Sequence, residues 1–233
     1  MLCPLLSTTV LAALFFHEAC GHGLEASAVS KNASVFANKI GQQIASPLIT
    51  AIDDGTITNE WGSIYIDDEG NMGRKNLLIE NGILKGYMVD RYNGMRMGAA
   101  ATGSSRRQSY RFVPTSRMTN TYIYNGKSTP EEIIAATDHG LYAKYMGGGS
   151  VNPATGEFNF AVSEAYIVRN GKICEPVRGA TLIGKGAEVL MNIDMVGNNL
   201  KLSQGMCGAS SGSIPVCVGQ PMLRVKTITV GGK

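Results

Sequence analysis

Hydrophobic and polar positions divide the chain into a helical first part and a longer part rich in strands. An uncharged stretch, 2–16, opens the chain, and the apolar spacing predicts a helix over about 8–28 with Ser7 or Thr8 as its cap. A second short helix is predicted over 33–44, which is rich in Ala, Gln and apolar residues. The first fifth of the chain is therefore expected to be mostly helical.

Alternation of apolar and polar residues predicts β-structure in most of the remainder. Asn81-Gly82 separates two apolar runs, and Asn170-Gly171 does the same further along. Asn-Gly supplies the two positive-φ positions of a type I′ turn, so both pairs predict β-hairpins. One later helix is predicted to open at Ser128 and to end by His139-Gly140. The other predicted strands are 48–52, 63–66, 157–162, 164–168, 214–218 and 223–230.

Together these elements predict one α+β domain over 1–233, with its N-terminal helix packed on a largely antiparallel β domain. A chain of 233 residues can bury a sizeable core. Its 21 Lys and Arg against 18 Asp and Glu give a net charge of +3, which is too small for a dedicated nucleic-acid binder. Five cysteines, an odd number, favour free thiols in a reducing compartment over a disulfide framework.

The uncharged start is not predicted to be a membrane segment. It resembles the apolar part of a secretion signal, but no basic residue precedes it, and it runs directly into His17-Glu18 instead of small residues. It is also shorter than the roughly 20 residues that a membrane-spanning helix needs. We therefore predict a cytoplasmic protein without a membrane partner, in which the first helix is buried.

Two of the three histidines lie in the sequence HEACGH at 17–22. A His-Glu pair followed by a second His on one helix is typical of zinc peptidases, in which the imidazoles bind the metal and the Glu is the general base. The five-residue separation of His17 and His22 departs from the usual four, and on a straight α-helix it places the side chains about 140° apart. Binding one ion would require a π-bulge or a helix that ends between them, and Gly21 and Gly23 lie where such backbone freedom is needed.

A catalytic zinc site also needs a third protein ligand and one open position. His139 is one candidate, although a histidine near a helix C-terminus equally suits an ordinary surface cation. Cys20 lies three residues from His17 and near its face, but it also suits a core position. Cys207 is flanked by glycines in what we interpret as a flexible loop, which suits a residue that must reach across to a metal. The residues alone leave these alternatives open.

The sequence HEACGHGLE at 17–25 resembles the HEAxGHxLE signature of the TldD/PmbA metalloproteases, specifically of the TldD-type subunit. The likeness continues in order along essentially the whole chain, which makes it highly specific. The further matching segments are ASP at 45–47, DDG at 53–55, DDEG at 67–70, LIENGILKGYM at 78–88, RMTNTY at 117–122, GGG at 147–149, SEAY at 163–166, MVGN at 195–198 and VGQP at 218–221.

The resemblance implies a zinc metallopeptidase that hydrolyses peptide bonds of extended or unfolded peptides. Carried over to this chain, the ligands of Zn²⁺ are His17, His22 and Cys207, Glu18 is the catalytic base, and Cys20 is a packing residue. The resemblance also implies that the HExxxH spacing is the family's own. Family members act as heterodimers with a catalytically silent PmbA/TldE-type partner subunit. They carry an N-terminal domain before the metal helix, which we expect this chain to lack.

Three further features have both a functional and an ordinary interpretation. A glycine run would let an extended substrate approach a strand edge closely, or it is an ordinary turn. Arginines in 102–119 would bind substrate carboxylates or a negatively charged partner or, more simply, form a solvated face. Two Asp pairs suggest a second metal, yet Asp-rich turns need no ion. The residues concerned are Gly147, Gly148 and Gly149; Arg106, Arg107, Arg111 and Arg117; and Asp53, Asp54, Asp67 and Asp68.

A rival function belongs to a different class: a catalytically silent module that binds a partner subunit or a peptide without cutting it. The complete set of one base and three candidate ligands argues against this alternative, because a silent module has no physical need for all four. The expected absence of the family's N-terminal domain argues for it.

Overall fold

The computed structural model of the chain describes residues 2–7, 13–152 and 154–232. Its strands are β1 (Leu2–Ser7), β2 (Ala51–Asp54), β3 (Lys75–Glu80), β4 (Ile83–Leu84), β5 (Ser105–Arg106), β6 (Thr115–Ser116), β7 (Asn120–Ile123), β8 (His139–Val151), β9 (Glu157–Arg169), β10 (Lys172–Val177), β11 (Thr181–Lys185), β12 (Ile193–Val196), β13 (Lys201–Ala209), β14 (Gly212–Gln220) and β15 (Leu223–Gly231). Its helices are α1 (Ala13–Phe16), a π-helix (His17–Gly21), a 3₁₀ helix (His22–Leu24), α2 (Ala26–Val29), α3 (Arg91–Met97), α4 (Pro130–Ala135) and α5 (Gly186–Met191).

One of the two main sheets closes on itself. β1 pairs with both β8 and β15, and β9 and β11 complete the ring β1-β8-β9-β11-β15. β10 pairs with β9, and β12 pairs with β15. The ring is a small barrel, and its closure leaves few backbone edges exposed. The barrel buries apolar side chains from several of its strands, namely Leu5, Met146, Leu182, Val225 and Ile228.

The second sheet has the strand order β13-β14-β7-β2-β3-β4, and β5 and β6 form a separate two-stranded ribbon. Only β1 with β8 and β7 with β14 are parallel among the strand pairs that the structure describes. The predicted α+β class with largely antiparallel strands is confirmed. The π-helix contacts β7, β8 and α5, so it packs between the barrel and the second sheet.

Both Asn-Gly hairpins are confirmed. β3 and β4 are joined by Asn81 and Gly82, with φ of 48° and 83°, and β9 and β10 are joined by Asn170 and Gly171, with φ of 47° and 70°. These positive values at both central positions are those of the expected turn. The predicted strands 157–162 and 164–168 are parts of one long strand, β9.

The prediction for the N-terminal segment is wrong at its start. Residues 2–7 form β1, so Ser7 ends a strand and does not cap a helix; Thr8 lies outside the described residues. Pairing with β8 and β15 on both sides overrides the local apolar pattern. Pro4 has no N–H to donate, and the register of β1 shifts between Cys3 and Leu5. The next described helical residues begin at Ala13.

Three other predicted elements also differ. Residues 33–44 form turns, because Asn38 and Gly41 have φ of 60° and 80°, which a helix cannot accommodate. Residues 63–66 are not a strand, and only Ile66 makes an isolated bridge. The helix that opens after Thr129 has a complete capping box, but it ends at Ala135, before β8 begins.

The two aspartate pairs have protein partners, as the ordinary interpretation predicts. Asp53 accepts hydrogen bonds from the amide of Thr119 and the hydroxyl of Thr121, each at 2.7 Å. Asp67 accepts from the amides of Asn71 and Ser105 at 2.8 and 3.1 Å. The contacts of Asp53 lie within and beside the second sheet, and those of Asp67 join a loop to β5. Asp54 accepts from the amide of Thr56, and Asp68 accepts from the amide of Arg107.

Candidate metal centre

The π-helix brings the two motif histidines to one side. The amide of His22 donates to the carbonyl of His17, a hydrogen bond that spans five residues instead of four. The two imidazole centroids are 5.0 Å apart, with the rings at 82° to each other. Of the two geometries considered for the five-residue spacing, the chain adopts the π-type turn.

The glycines beside His22 are required for space, not for backbone freedom. Gly21 has φ −57° and ψ −50°, which are ordinary helical values. A Cβ on Gly21 would overlap the sulfur of Met118, and one on Gly23 would lie 2.9 Å from the ring of Phe36. The expectation that their flexibility is needed is therefore wrong. Close packing against the π-helix and the 3₁₀ helix explains these two residues.

Cys207 reaches the histidines from a strand. It lies in β13, opposite Ile214 of β14, so the prediction of a flexible loop is wrong: the flanking glycines are paired in the same ladder. The thiol sulfur is 3.3 Å from Nε2 of His17 and 3.5 Å from Nε2 of His22. The side chain of Cys207 is buried.

These three residues form a donor set that fits a zinc ion. One donor atom from each of His17, His22 and Cys207 lies within 4.8 Å of the other two. In a tetrahedral zinc site, a bound nitrogen at about 2.0 Å and a sulfur at about 2.3 Å are about 3.5 Å apart. The observed nitrogen–sulfur separations agree with that value. Two imidazoles and a thiolate are also the ligand types that zinc prefers, and three protein ligands leave a fourth position open.

The other two candidates for the third ligand are not part of this cluster, which is the only such group of donors in the part of the chain that the structure describes. His139 is exposed at the start of β8. Cys20 is fully buried in the main apolar core, and burial raises the pKa of its thiol, which disfavours the thiolate that a metal would bind. Cys20 is thus a packing residue.

Glu18 lies beside the donor set and faces solvent. Its Oε2 is 3.9 Å from Nε2 of His22, and its side chain is 31 % exposed, whereas His17 is almost completely buried. A water bound at the open side of the cluster would therefore have a carboxylate next to it. This is the position that a general base for an attacking water requires.

The sequence did not indicate that two further residues belong to the site. Glu25 accepts a hydrogen bond from Nδ1 of His22 at 3.1 Å, and Arg117 donates to the carbonyl of Cys207 at 2.6 Å. Side chains three residues apart on a 3₁₀ helix lie on the same face. The three-residue separation of His22 and Glu25 is therefore the signal that could have linked them. No local signal identifies Arg117, because its partner lies 90 positions away in the chain.

The solvated-face interpretation is wrong for two of the four arginines. Arg106 and Arg117 are 6 % and 1 % exposed, while Arg107 is half-buried and Arg111 is exposed. Arg106 donates to the carbonyl of Met118 at 2.6 Å. Both buried guanidinium groups thus bond to backbone carbonyls close to the donor set, and neither is available to a substrate.

The electrostatic environments of the two histidines differ. Burial lowers the pKa of His17 well below its usual value, and the neighbouring charges of His22 and Arg117 act in the same direction. Burial also lowers the pKa of His22, but the carboxylate of Glu25 and the hydrogen bonds that the imidazole makes to Cys207 and Glu25 more than offset this effect and raise the pKa to about 11. His17 is therefore neutral in the metal-free protein, whereas His22 is protonated.

Gly147, Gly148 and Gly149 lie inside β8, so they are a strand segment and not a turn. The pairing of β1 with β8 ends at Ala143. Among the described residues, these glycines therefore have a strand neighbour, β9, on one side only. A Cβ on Gly148 would meet nothing within 4 Å, whereas one on Gly149 would overlap the ring of Phe160.

A His₂Cys cluster with an adjacent carboxylate, held between a barrel and a second sheet, is of the kind found in metal-dependent hydrolases. Residues 2–232 match the family described as the PmbA/TldA metallopeptidase C-terminal domain. The chain belongs to this family of PmbA/TldD metallopeptidases. In the described residues, no helix combines the length and the apolar character that crossing a membrane requires.

Individual relatives agree with this assignment. The chain is 51 % identical over 221 residues to the metalloprotease TldD homolog of Buchnera aphidicola subsp. Acyrthosiphon pisum, covering 94 % of this chain and 46 % of the relative. It is 34 % identical over 230 residues to the zinc metalloprotease TldD homolog of Saccharolobus solfataricus, covering 98 % and 51 %. The crystal structure of TldE from Thermococcus kodakarensis superposes with a TM-score of 0.85 at 26 % identity, covering 99 % and 50 %. The chain thus spans about half the length of the relatives that it matches.

Proposed function

We propose that the chain carries the zinc site and the catalytic base of a metallopeptidase that hydrolyses extended or unfolded peptides. The observation that carries this proposal is the convergence of His17, His22 and Cys207, with Glu18 beside them. Two relatives named as metalloproteases, one of them as a zinc metalloprotease, support it.

The proposed chemistry assigns one task to each part of the site. Bound zinc would lower the pKa of a coordinated water and polarise the scissile carbonyl. Glu18 takes a proton from the attacking water, whose oxygen forms a bond to the carbonyl carbon, and passes that proton to the amine as the C–N bond breaks. His17, His22 and Cys207 hold the ion, and burial of His17 keeps its imidazole neutral and ready to bind.

An extended substrate would be held through its backbone at β8. Gly147 to Gly149 have one strand neighbour among the described residues, so the other side of the segment can accept a peptide strand. The open space around Gly148 favours close approach. Gly149 has a packing reason to be glycine, so we assign the closest approach to Gly148.

The proposal extends to a partner and a location. A PmbA/TldE-type subunit would complete the assembly, and the structural similarity to TldE supports this pairing of related chains. We place the protein in the cytoplasm and expect no nucleic-acid or membrane partner, as the small net charge and the free cysteines suggest.

The test combines zinc analysis with hydrolysis of an unfolded, fluorescence-quenched peptide by the purified protein, alone and with a PmbA/TldE-type subunit. We expect one zinc per chain and cleavage that a chelator abolishes and added zinc restores. Glu18→Gln should keep the zinc and lower kcat by about 10²- to 10⁴-fold. Glu131→Gln, on the exposed first turn of α4, should cleave at the normal rate.

Two results would contradict the proposal. Unchanged cleavage by Glu18→Gln would remove Glu18 from the mechanism. Peptide or partner binding without zinc and without cleavage, under every condition, would support the catalytically silent module instead.

A further inference from the structure

Glu25 contacts the candidate ligand His22 and the loop between β6 and β7. Its Oε2 accepts from Nδ1 of His22 at 3.1 Å, and its Oε1 accepts from the amide of Met118 at 3.3 Å. Oε1 also lies 3.9 Å from Nε of Arg117. Glu25 is 5 % exposed, so these contacts are made in a buried environment.

Arg117 continues this connection to the strand that carries Cys207. One terminal nitrogen donates to the carbonyl of Cys207 at 2.6 Å. The other donates to the hydroxyl of Ser211 at 2.7 Å and to the carbonyl of Gly212 at 3.0 Å. These acceptors lie on β13, on the turn that follows it, and at the start of β14. The planar fork of a guanidinium can hold this hairpin end in one orientation, which a lysine cannot do.

We propose that Glu25 and Arg117 are a positioning pair that presets the distance between His22 and Cys207 for a metal ion. This inference rests on the proposed zinc site. The path runs from the imidazole of His22 through the carboxylate of Glu25 and the guanidinium of Arg117 to the backbone of Cys207. It joins two ligands that are 185 positions apart in the chain.

The pair acts on the tautomer as well as on the distance. A carboxylate on Nδ1 keeps the proton there, so Nε2 of His22 is the atom that faces the metal. Nε2 is also the nitrogen that points at the sulfur of Cys207. His17 contrasts with His22, because its buried Nδ1 has no hydrogen-bond partner among the described residues. Positioning by a hydrogen bond on the nitrogen that faces away from the metal is thus specific to His22.

Charge balance gives Glu25 the larger role of the two. A buried guanidinium near a divalent cation opposes metal binding, and the carboxylate between them offsets that repulsion. Removing the carboxylate charge leaves the guanidinium uncompensated. Replacing Arg117 by lysine keeps the positive charge. It removes the planar guanidinium, so the end of the β13–β14 hairpin is no longer held in one orientation.

The experiment measures zinc affinity by competition with a chromophoric chelator, and the absorption spectrum of the Co²⁺-loaded protein. Glu25→Gln should weaken zinc binding by about 100-fold and Arg117→Lys by about 10-fold, the range found for residues that orient metal ligands. In both variants the thiolate-to-cobalt charge-transfer band should shift or weaken, because the angle between the sulfur and the His22 nitrogen is no longer fixed. A purely structural role would leave this band unchanged.

A second carboxylate–guanidinium pair provides the matched control. Arg224, on β15 of the barrel, donates at 2.9 Å to both carboxylate oxygens of Asp194, on the neighbouring strand β12. Asp194→Asn and Arg224→Lys should lower thermal stability and leave the zinc affinity and the cobalt spectrum unchanged.

The outcomes separate this inference from the proposed function. If the unaltered protein binds no zinc, the proposed zinc site fails. If the unaltered protein binds zinc, and the folded Glu25→Gln and Arg117→Lys variants have zinc affinities within twofold of it, only the positioning pair is refuted. Should either variant not fold, ¹⁵N NMR of the unaltered zinc-loaded protein decides: His22 must be protonated at Nδ1 and metal-bound at Nε2, and the opposite tautomer would overturn the inference.

Discussion

The interior of the barrel and the region between the second sheet and the π-helix differ in the polar groups that they bury. The barrel encloses apolar groups such as Leu182 and Val225. Between the second sheet and the π-helix, several charged and hydroxyl groups are buried beside the apolar ones, namely Glu25, Asp53, Arg106, Arg117, Thr119 and Thr121. Apolar burial is non-directional, whereas buried polar groups require defined partners. The barrel therefore supplies a scaffold, and the polar side holds individual donor atoms in place.

The largest expected effect comes from replacing Cys207, with the equally buried Cys20 as its comparison. Cys207→Ser should lower zinc affinity by at least about 10³-fold, because it removes a thiolate ligand. Cys20→Ser should keep the zinc and lose only stability, since Cys20 is surrounded by the apolar core. Zinc content after dialysis measures both. A zinc-depleted Cys20→Ser protein beside a zinc-loaded Cys207→Ser protein would show that the ligand set is wrong.

The number of protons released when zinc binds tests the different environments of His22 and His17 on the polar side of the molecule. His22 has its pKa raised to about 11, so zinc must displace its proton at pH 8. Affinity should therefore rise with pH up to that value, and His17, whose pKa is lowered, should contribute no proton. Calorimetry in buffers of different ionisation enthalpy counts the protons. Zinc binding to the Glu25→Gln variant should release up to about one proton fewer, because Glu25 raises the pKa of His22.

Asp194→Asn is the control for this count and should release as many protons as the unaltered protein. An unchanged count in Glu25→Gln would contradict the assignment of Glu25 as the source of the raised pKa.

Packing around the π-helix predicts a moderate effect on stability. Gly21→Ala would force its new methyl group against Met118, and overpacking of this kind costs about 1–3 kcal/mol. Shortening the opposing side chain with Met118→Ala should restore part of the loss, which denaturant unfolding can measure. A Gly21→Ala protein as stable as the parent would show that the contact is not tight.

The smallest expected effect concerns β8. Gly148→Val has room for its side chain, so the free energy of unfolding should change by less than about 1 kcal/mol. If a peptide lies along this segment, KM should rise several-fold with little change in kcat. Unchanged kinetics for Gly148→Val would assign the glycine run to the fold alone.

The sequence predicts the local features of this molecule better than the long-range ones. The two Asn-Gly hairpins follow from residues within the turn, and the distorted helix follows from the spacing of His17 and His22. The strand character of residues 2–7 depends on β8 and β15, which lie far along the chain. The same reason hides the role of Arg117, because a buried arginine and a solvated one look alike until the partners are known.

The case of Cys207 is similar. Its glycine neighbours suggest a loop, and only the pairing with β14 shows that they belong to a strand. Sequence resemblance, not local pattern, singled out Cys207 over Cys20 and His139.

X-ray absorption at the zinc edge of the loaded protein tests the central claim most directly. One sulfur at about 2.3 Å and two imidazole nitrogens at about 2.0–2.1 Å, with one further light-atom ligand, are the result expected for a site made by His17, His22 and Cys207. A shell of nitrogen and oxygen atoms without sulfur would contradict it, because the strand and the π-helix would then not share a metal.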